Sequence, residues 1–313
     1  MLSRTADNLF WLARYVERAD NIARIVDAAN RLVSLPVEYA GASNSWESAV
    51  AATGRLEEFA ELYGEANANN VVEYLAFAPA NSSSILQCVE RARTNARAVR
   101  TALTVEMWEA INGSWLDLKR YAGAGVDRHR LNGFLSSVKE ASDRFDGSAY
   151  RTMLRNDAFY FSRLGVFIER ADNTARILDV KYHVLLPEMS NVGGGLDYFQ
   201  WSSILRSVSA LTAYHWVYRD SIKPWLVADL LILNDEMPRS LASCYDTLND
   251  MLEKLAQLYG KQGPSQRMVR SMRTRLQNTD IESIFQNGLH EFLTDFIDDN
   301  NKLGRAIAEQ YLT

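Results

Sequence analysis

Carboxylates and guanidinium groups recur in this chain at fixed spacing. The segment Glu17-Arg18-Ala19-Asp20-Asn21-Ile22-Ala23-Arg24-Ile25-Val26-Asp27 returns as Glu169-Arg170-Ala171-Asp172-Asn173-Thr174-Ala175-Arg176-Ile177-Leu178-Asp179, with nine of eleven residues identical. On a helix, Glu17, Asp20, Arg24 and Asp27 share one face, with Asn21 beside them; Glu169, Asp172, Arg176 and Asp179, with Asn173, do the same. Two kinds of chemistry fit these groups. Sheltered carboxylates with shifted pKa values can act as bases or amine ligands while arginines clamp an anion, which makes an enzyme or a small-molecule binder. Alternatively, the groups pair with one another and fix helix register, and no substrate is involved. Asp20 and Arg24 are spaced as an i,i+4 ion pair, so Glu17 needs a cation from elsewhere. Arg93, Arg97 and Arg100 form a second single-face stripe, and one of them is expected to contact Glu17 or Asp20 through a bidentate fork.

Other reactive residues give weaker patterns. His129, His183, His215 and His290 are scattered, with no His-x-x-x-His or His-Glu-x-x-His spacing, so neither a metal nor a cofactor is expected. A di-metal bundle would place histidine three residues after a glutamate, where Asp20 and Asp172 stand. Cys88 and Cys244 each follow a serine by four residues and read as small buried thiols. Gly193-Gly194-Gly195 lacks the strand and the Lys-Ser/Thr ending of a phosphate loop, and Arg267, Arg270, Arg273 and Arg275 read as a solvated helix face.

The elements that must position the repeated segment are helices. Leu12, Val16, Ala19, Ala23 and Val26 form an apolar stripe, and Leu164, Ile168, Ala171, Ala175 and Leu178 repeat it. Tyr15, Ile22, Ile25 and Ala29 flank the charged face on its other side, so the charges should be sheltered from water. The first helix is expected from a Ser3 cap to about Ser34, before Pro36, and its counterpart from near Tyr150 to before Pro187. A loop follows each, Glu38 to Ser45 and Glu188 to Leu196, and a new helix begins near Trp46 and near Trp201. Further along, Ser84-Ile85-Leu86-Gln87-Cys88 stands opposite Ser240-Leu241-Ala242-Ser243-Cys244. The expected fold is an all-α bundle of two pseudo-equivalent halves, residues 1–147 and 148–313, divided at a Phe145-Asp146-Gly147 turn and packed as one body.

Composition bounds the function class. A chain of 313 residues with 47% hydrophobic and 23% charged residues has the make-up of an ordinary globular protein. A net charge of -5 argues against a nucleic-acid surface as the main partner. The greasiest stretch, Trp225 to Leu233, is too short to span a bilayer and contains Asp229, so no membrane partner is expected. Two cysteines and an N-terminus without an uninterrupted apolar core point to a cytoplasmic protein.

The doubled Glu-Arg pair, the Asn81-Ser82-Ser83-Ser84-Ile85 segment and the arginine pattern that follows resemble the bacterial alpha-E family over essentially the whole chain. In the family's Asn-Pro-x-Ser-Ile pattern proline stands where this chain has Ser82. The resemblance implies an alpha-helical domain whose name-giving pair is Glu17-Arg18 and Glu169-Arg170. It also implies partners: circularly permuted ATP-grasp proteins that look like carboxylate–amine ligases, transglutaminase-like cysteine peptidases and a proteasome-related peptidase. The expected role is an accessory or scaffold in a peptide-ligation or protein-tagging system.

Overall fold

Apolar residues spaced three and four apart along a chain poor in proline can be buried only against other helices. The computed structural model describes residues 1–33, 45–124, 128–184 and 195–313, and among them it contains α-helices, short 3-10 and π turns, and no strand. The first half of the chain contributes α1 (Ser3–Val33), α2 (Ser45–Ala51), α3 (Leu56–Tyr63), α4 (Ala68–Val72), α5 (Ile85–Ala98), α6 (Val105–Ala124) and α7 (Arg128–Thr152). The remainder contributes α8 (Asp157–Val184), α9 (Gly195–Ser207), α10 (Leu211–Tyr218), α11 (Pro224–Ile232), α12 (Leu241–Tyr259), α13 (Pro264–Gln277), α14 (Ile281–Asn287) and α15 (Leu289–Ile307). Among the described residues no helix is long and apolar enough to cross a membrane.

The two longest helices, α1 and α8, pack against each other at the centre. Leu9, Leu12, Ala13, Ala23 and Val26 of α1, and Leu164, Ala171, Ala175 and Leu178 of α8, are fully buried. Partners across this contact keep a near-constant separation. Met1 meets Asp157, Arg14 and Arg18 meet Glu169, and Arg170 meets Glu17, at sequence separations of 156, 155, 151 and 153. Constant separation means that the helices run parallel and in register. Gly165 permits their close approach: a Cβ there would overlap the Phe10 carbonyl oxygen and sit 3.1 Å from the Ala13 Cβ.

The same order of neighbours surrounds each central helix. α1 packs on α5 and α7, with α6 bridging those two; α8 packs on α12 and α15, with α13 bridging those two. Both second helices start from a serine cap: Ser84 Oγ accepts from the Gln87 backbone N–H, and Ser240 Oγ from that of Ser243. Trp46 lies in α2 and Trp201 in α9, where new helices were expected.

Two expectations need correction. Phe145-Asp146-Gly147 is not a turn. α7 runs through it to Thr152, and the break falls at residues 153–156, so a boundary between residues 147 and 148 would cut a helix. Burial of Phe145 and Ala149 outweighs the modest helix cost of Gly147. The second long helix accordingly begins at Asp157, not near Tyr150. Residues 38–44 and 188–194 of the loops expected after the long helices, Gly193 and Gly194 included, lie outside the described residues, whereas Ser45 and Gly195, expected in those loops, begin α2 and α9.

Candidate functional site

The repeated segments meet at the α1–α8 contact, and each supplies what the other lacks. Arg170 donates from Nε and Nη2 to the two Glu17 carboxylate oxygens, both at 2.9 Å. In the reverse direction Arg18 donates from Nε to Glu169 Oε1 at 2.5 Å and from Nη2 to Oε2 at 2.9 Å. Each glutamate is therefore held in a bidentate fork by the arginine next to the other glutamate. Parallel register sets the two Glu-Arg pairs level, position 17 with 169 and position 18 with 170, and each long arginine side chain then reaches diagonally to the opposite glutamate. The carboxylates are shut away from water, Glu17 at 3% exposure and Glu169 at 2%.

Each glutamate has a second cation. Arg239, ahead of the α12 cap, donates to Glu17 Oε1 at 2.9 Å and from its other nitrogen to Asp20 Oδ2 at 2.9 Å. Arg14 donates to Glu169 Oε2 at 2.9 Å. Thr174, which stands where the first segment has Ile22, donates its hydroxyl to the Arg239 carbonyl at 2.8 Å and so ties the α12 entry to α8. Asp20 also takes Arg24 Nε at 2.7 Å; its counterpart Asp172 takes Arg176 Nε at 2.7 Å. Arg176 leans over Gly54, where a Cβ would stand 2.9 Å from Nη1 and where the backbone φ is +70°. A side chain at position 54 would press on this guanidinium.

Burial alone would push both glutamates up. For Glu17 the neighbouring Arg170 and Arg239 override it and hold the carboxyl down at about 2; for Glu169, Arg18 and Arg14 do the same, again to about 2. Asp172 goes the other way: burial raises it, and Arg176 offsets only part of the effect. Burial also pushes the thiols of Cys88 and Cys244 up to about 12, although Arg18 lies beside one and Arg170 beside the other. The two glutamates are thus fixed charges at neutral pH, and the thiols are neutral rather than nucleophilic. Among the described residues no group of three or more His, Cys, Asp or Glu side chains is placed to hold a metal ion.

The remaining residues of the segments diverge. Asn21 and Asn173 are buried, whereas Asp27 leaves the seam and pairs with Lys139 of α7 at 3.0 Å and with Arg31 at 3.1 Å. Asp179 pairs with His290 of α15 at 2.6 Å. The arginines expected to meet the glutamates, Arg93 and Arg97 on α5 and Arg100 just after it, do not reach them, which corrects that expectation. Arg93 donates to Asn112 of α6 and lies over Trp115, Arg100 lies over Trp108, and Arg97 is exposed. The face that α5 turns toward the core carries Ile85, Cys88, Val89, Ala92 and Ala96 instead, so the arginines point toward α6 and solvent. The single-face stripe is also broken: α5 ends at Ala98, and Arg100 falls in the 3-10 turn that follows.

A profile of the Alpha-E family, described as "a predicted alpha-helical domain with a conserved ER motif", matches residues 1–312. The chain belongs to the Alpha-E family. That description names a Glu-Arg motif, and in this chain Glu17-Arg18 and Glu169-Arg170 join in the crossed forks. Among similar proteins, an uncharacterized protein of Mycobacterium bovis is 23% identical over 313 residues, covering 94% of this chain and 35% of the relative. An uncharacterized protein of Mycobacterium tuberculosis is 22% identical with the same coverage of each chain. The Alpha-E chain thus spans about a third of the length of these relatives. No solved structure matches it.

Sequence reasoning missed two cations of the site and one buried arginine outside it. Arg14 precedes Arg18 by four residues on the same helix, so extending the stripe one turn would have found it. Arg239 is 222 residues from Glu17, and its counterpart position ahead of the first cap holds Ser83, so no repeat signal marks it. Arg163 is fully buried, pairs with Asp146 and stacks on Tyr150 with its guanidinium carbon 4.8 Å from the ring centre; it stands alone in the sequence, without a periodic partner.

Proposed function

We propose that this Alpha-E chain is a non-catalytic scaffold made of two equivalent helical halves, acting as the accessory of an ATP-grasp-type carboxylate–amine ligase in a bacterial peptide-ligation or protein-tagging system. The observation that carries the non-catalytic part is the crossed pair of forks. Glu17, Arg18, Glu169 and Arg170 satisfy one another, and their bidentate contacts leave neither carboxylate free to take a proton or hold an amine. Glutamates held near 2 also lack the near-neutral pKa that a general base needs. The equivalent halves are supported by the repeated segment and by the matching order of neighbours around α1 and α8. The partner reading rests on the family resemblance and on relatives in which the matching region is only a third of a longer chain.

The test separates structure from chemistry. Glu17→Gln and Glu169→Gln variants are purified, their unfolding is measured, and the host pathway's ligation product is assayed beside capture of the ATP-grasp-type protein. A scaffold loses stability, partner capture and product together. Variants that keep fold and capture but abolish the product would show that the glutamates do chemistry.

A further inference from the structure

Arg24 ends the buried seam and begins a surface cleft. Its Nε is on Asp20, while Nη1 donates to Ser209 Oγ at 2.6 Å. Beyond it lies a cavity of about 360 Å³ lined by Arg24, Asp27, Arg31, Lys139, Arg206 and the start of α10 at Leu211 and Thr212. Four cationic side chains face one carboxylate there, in a chain whose net charge is negative. Asp27 is already shared by Arg31 and Lys139, and Arg206 has no ion-pair or hydrogen-bond partner among the described residues. The α10 N-terminus adds donors: no side chain caps it, and its cap position, Ala210, offers none. A concentration of like charge around an open cavity is unfavourable in itself and becomes favourable when a multivalent anion fills it.

We propose that this cleft binds a compact oligophosphate anion, such as pyrophosphate or the diphosphate of a nucleotide. Phosphoryl oxygens suit it better than a single carboxylate. Each accepts several charge-assisted hydrogen bonds, and two phosphates match the excess of positive charge within a volume of this size. The occupant would lock Arg24 between the cleft and Asp20, and through Asp20 and Arg239 it would tighten the hold on Glu17. This inference is independent of the scaffold reading, because the cleft is lined by only one of the two repeated segments.

The full chain is titrated by calorimetry with inorganic pyrophosphate and, separately, with ADP, at roughly physiological ionic strength. Saturable one-to-one binding is expected, together with a higher thermal midpoint at saturation. In the Arg31→Gln/Arg206→Gln double variant, affinity should fall by about tenfold or more, because two charge-assisted contacts are lost. Both residues are exposed, so the unliganded thermal midpoint should stay at the wild-type value. Tighter binding of ADP identifies a nucleotide site, and equal binding identifies an inorganic one; either supports the proposal. No saturable binding of either phosphate, unchanged affinity in the double variant, or binding of polyglutamate or citrate alone would overturn it.

Discussion

A bidentate Arg–carboxylate fork at 2–3% exposure is costly to break on one side only. Replacing Glu17 by Gln removes the counter-charge of Arg170 and leaves Arg239 with Asp20 alone, so a desolvated guanidinium group is stranded. The expected loss is about 3–5 kcal/mol, read as a shift of the urea midpoint at constant m-value. Asp27→Asn, at the less buried end of the same segment, should cost about 1 kcal/mol. The glutamates also set a pH dependence. Their folded values near 2 lie below the ordinary 4.5, so their contribution is complete above about 4.5 and is lost as pH falls toward 2. Asp172, raised by burial, acts with the opposite sign and softens the effect. Denaturation followed from pH 6 downward should therefore show stability falling steeply between about 4.5 and 2, and E17Q should flatten that slope. At this scale the sequence was legible where the chemistry repeats: charged residues kept on a greasy helix imply buried ion pairs. It was not legible where a single unrepeated arginine completes a pair from a distant loop, as Arg239 does. Arg93, Arg97 and Arg100 were the natural guess because periodicity reveals which residues share a face but not which neighbour that face meets.

Two glycines show how element-scale packing decides what a sequence pattern means. Gly165 sits where α8 crosses the Phe10 carbonyl of α1, and backbone cannot move aside as a flexible side chain can. Gly165→Ala should push the central helices apart and destabilise by about 1–3 kcal/mol despite alanine's better helix propensity. Gly147, near the C-terminal end of α7, has nothing within 4 Å of its missing Cβ. Gly147→Ala should stabilise by about 0.5–1 kcal/mol. Thermal unfolding of the pair measures both, and a stabilised Gly165→Ala would mean that the α1–α8 contact is looser than the geometry given above. The same contrast explains how far the elements could be read. The stripes of α1 and α8 are local signals and are found at the expected positions; the serine caps of α5 and α12 are equally local and fall within the two matching Ser-to-Cys segments. Phe145-Asp146-Gly147 looks like a turn by composition, yet Phe145 and Ala149 point into the core, and tertiary burial carries α7 through it.

For the molecule as a whole, the crossing of the forks makes an interdependence that neither group of helices has alone. Helices α1 to α7 contain Glu17 and Arg18; helices from α8 onward contain Glu169 and Arg170. Separated, each would expose the apolar stripe of its central helix and keep a glutamate whose bidentate arginine lies on the other piece. Arg239, the second cation of Glu17, leaves with the second piece as well, whereas Arg14, the second cation of Glu169, stays with the first. Cutting between Met153 and Asn156, where the chain is not helical, therefore removes every cation listed above for both glutamates without breaking a helix. Expressed apart, the two fragments should fail to unfold cooperatively; expressed together, they should co-purify one to one with helical content near that of the intact chain. Glu17→Gln in the first fragment should weaken the pairing more than Asp27→Asn does. Cooperative unfolding of either fragment alone would show that the forks fasten two finished domains together. Pairing only in the mixture would show that they complete a single core, because each buried glutamate then finds its arginine only on the other piece.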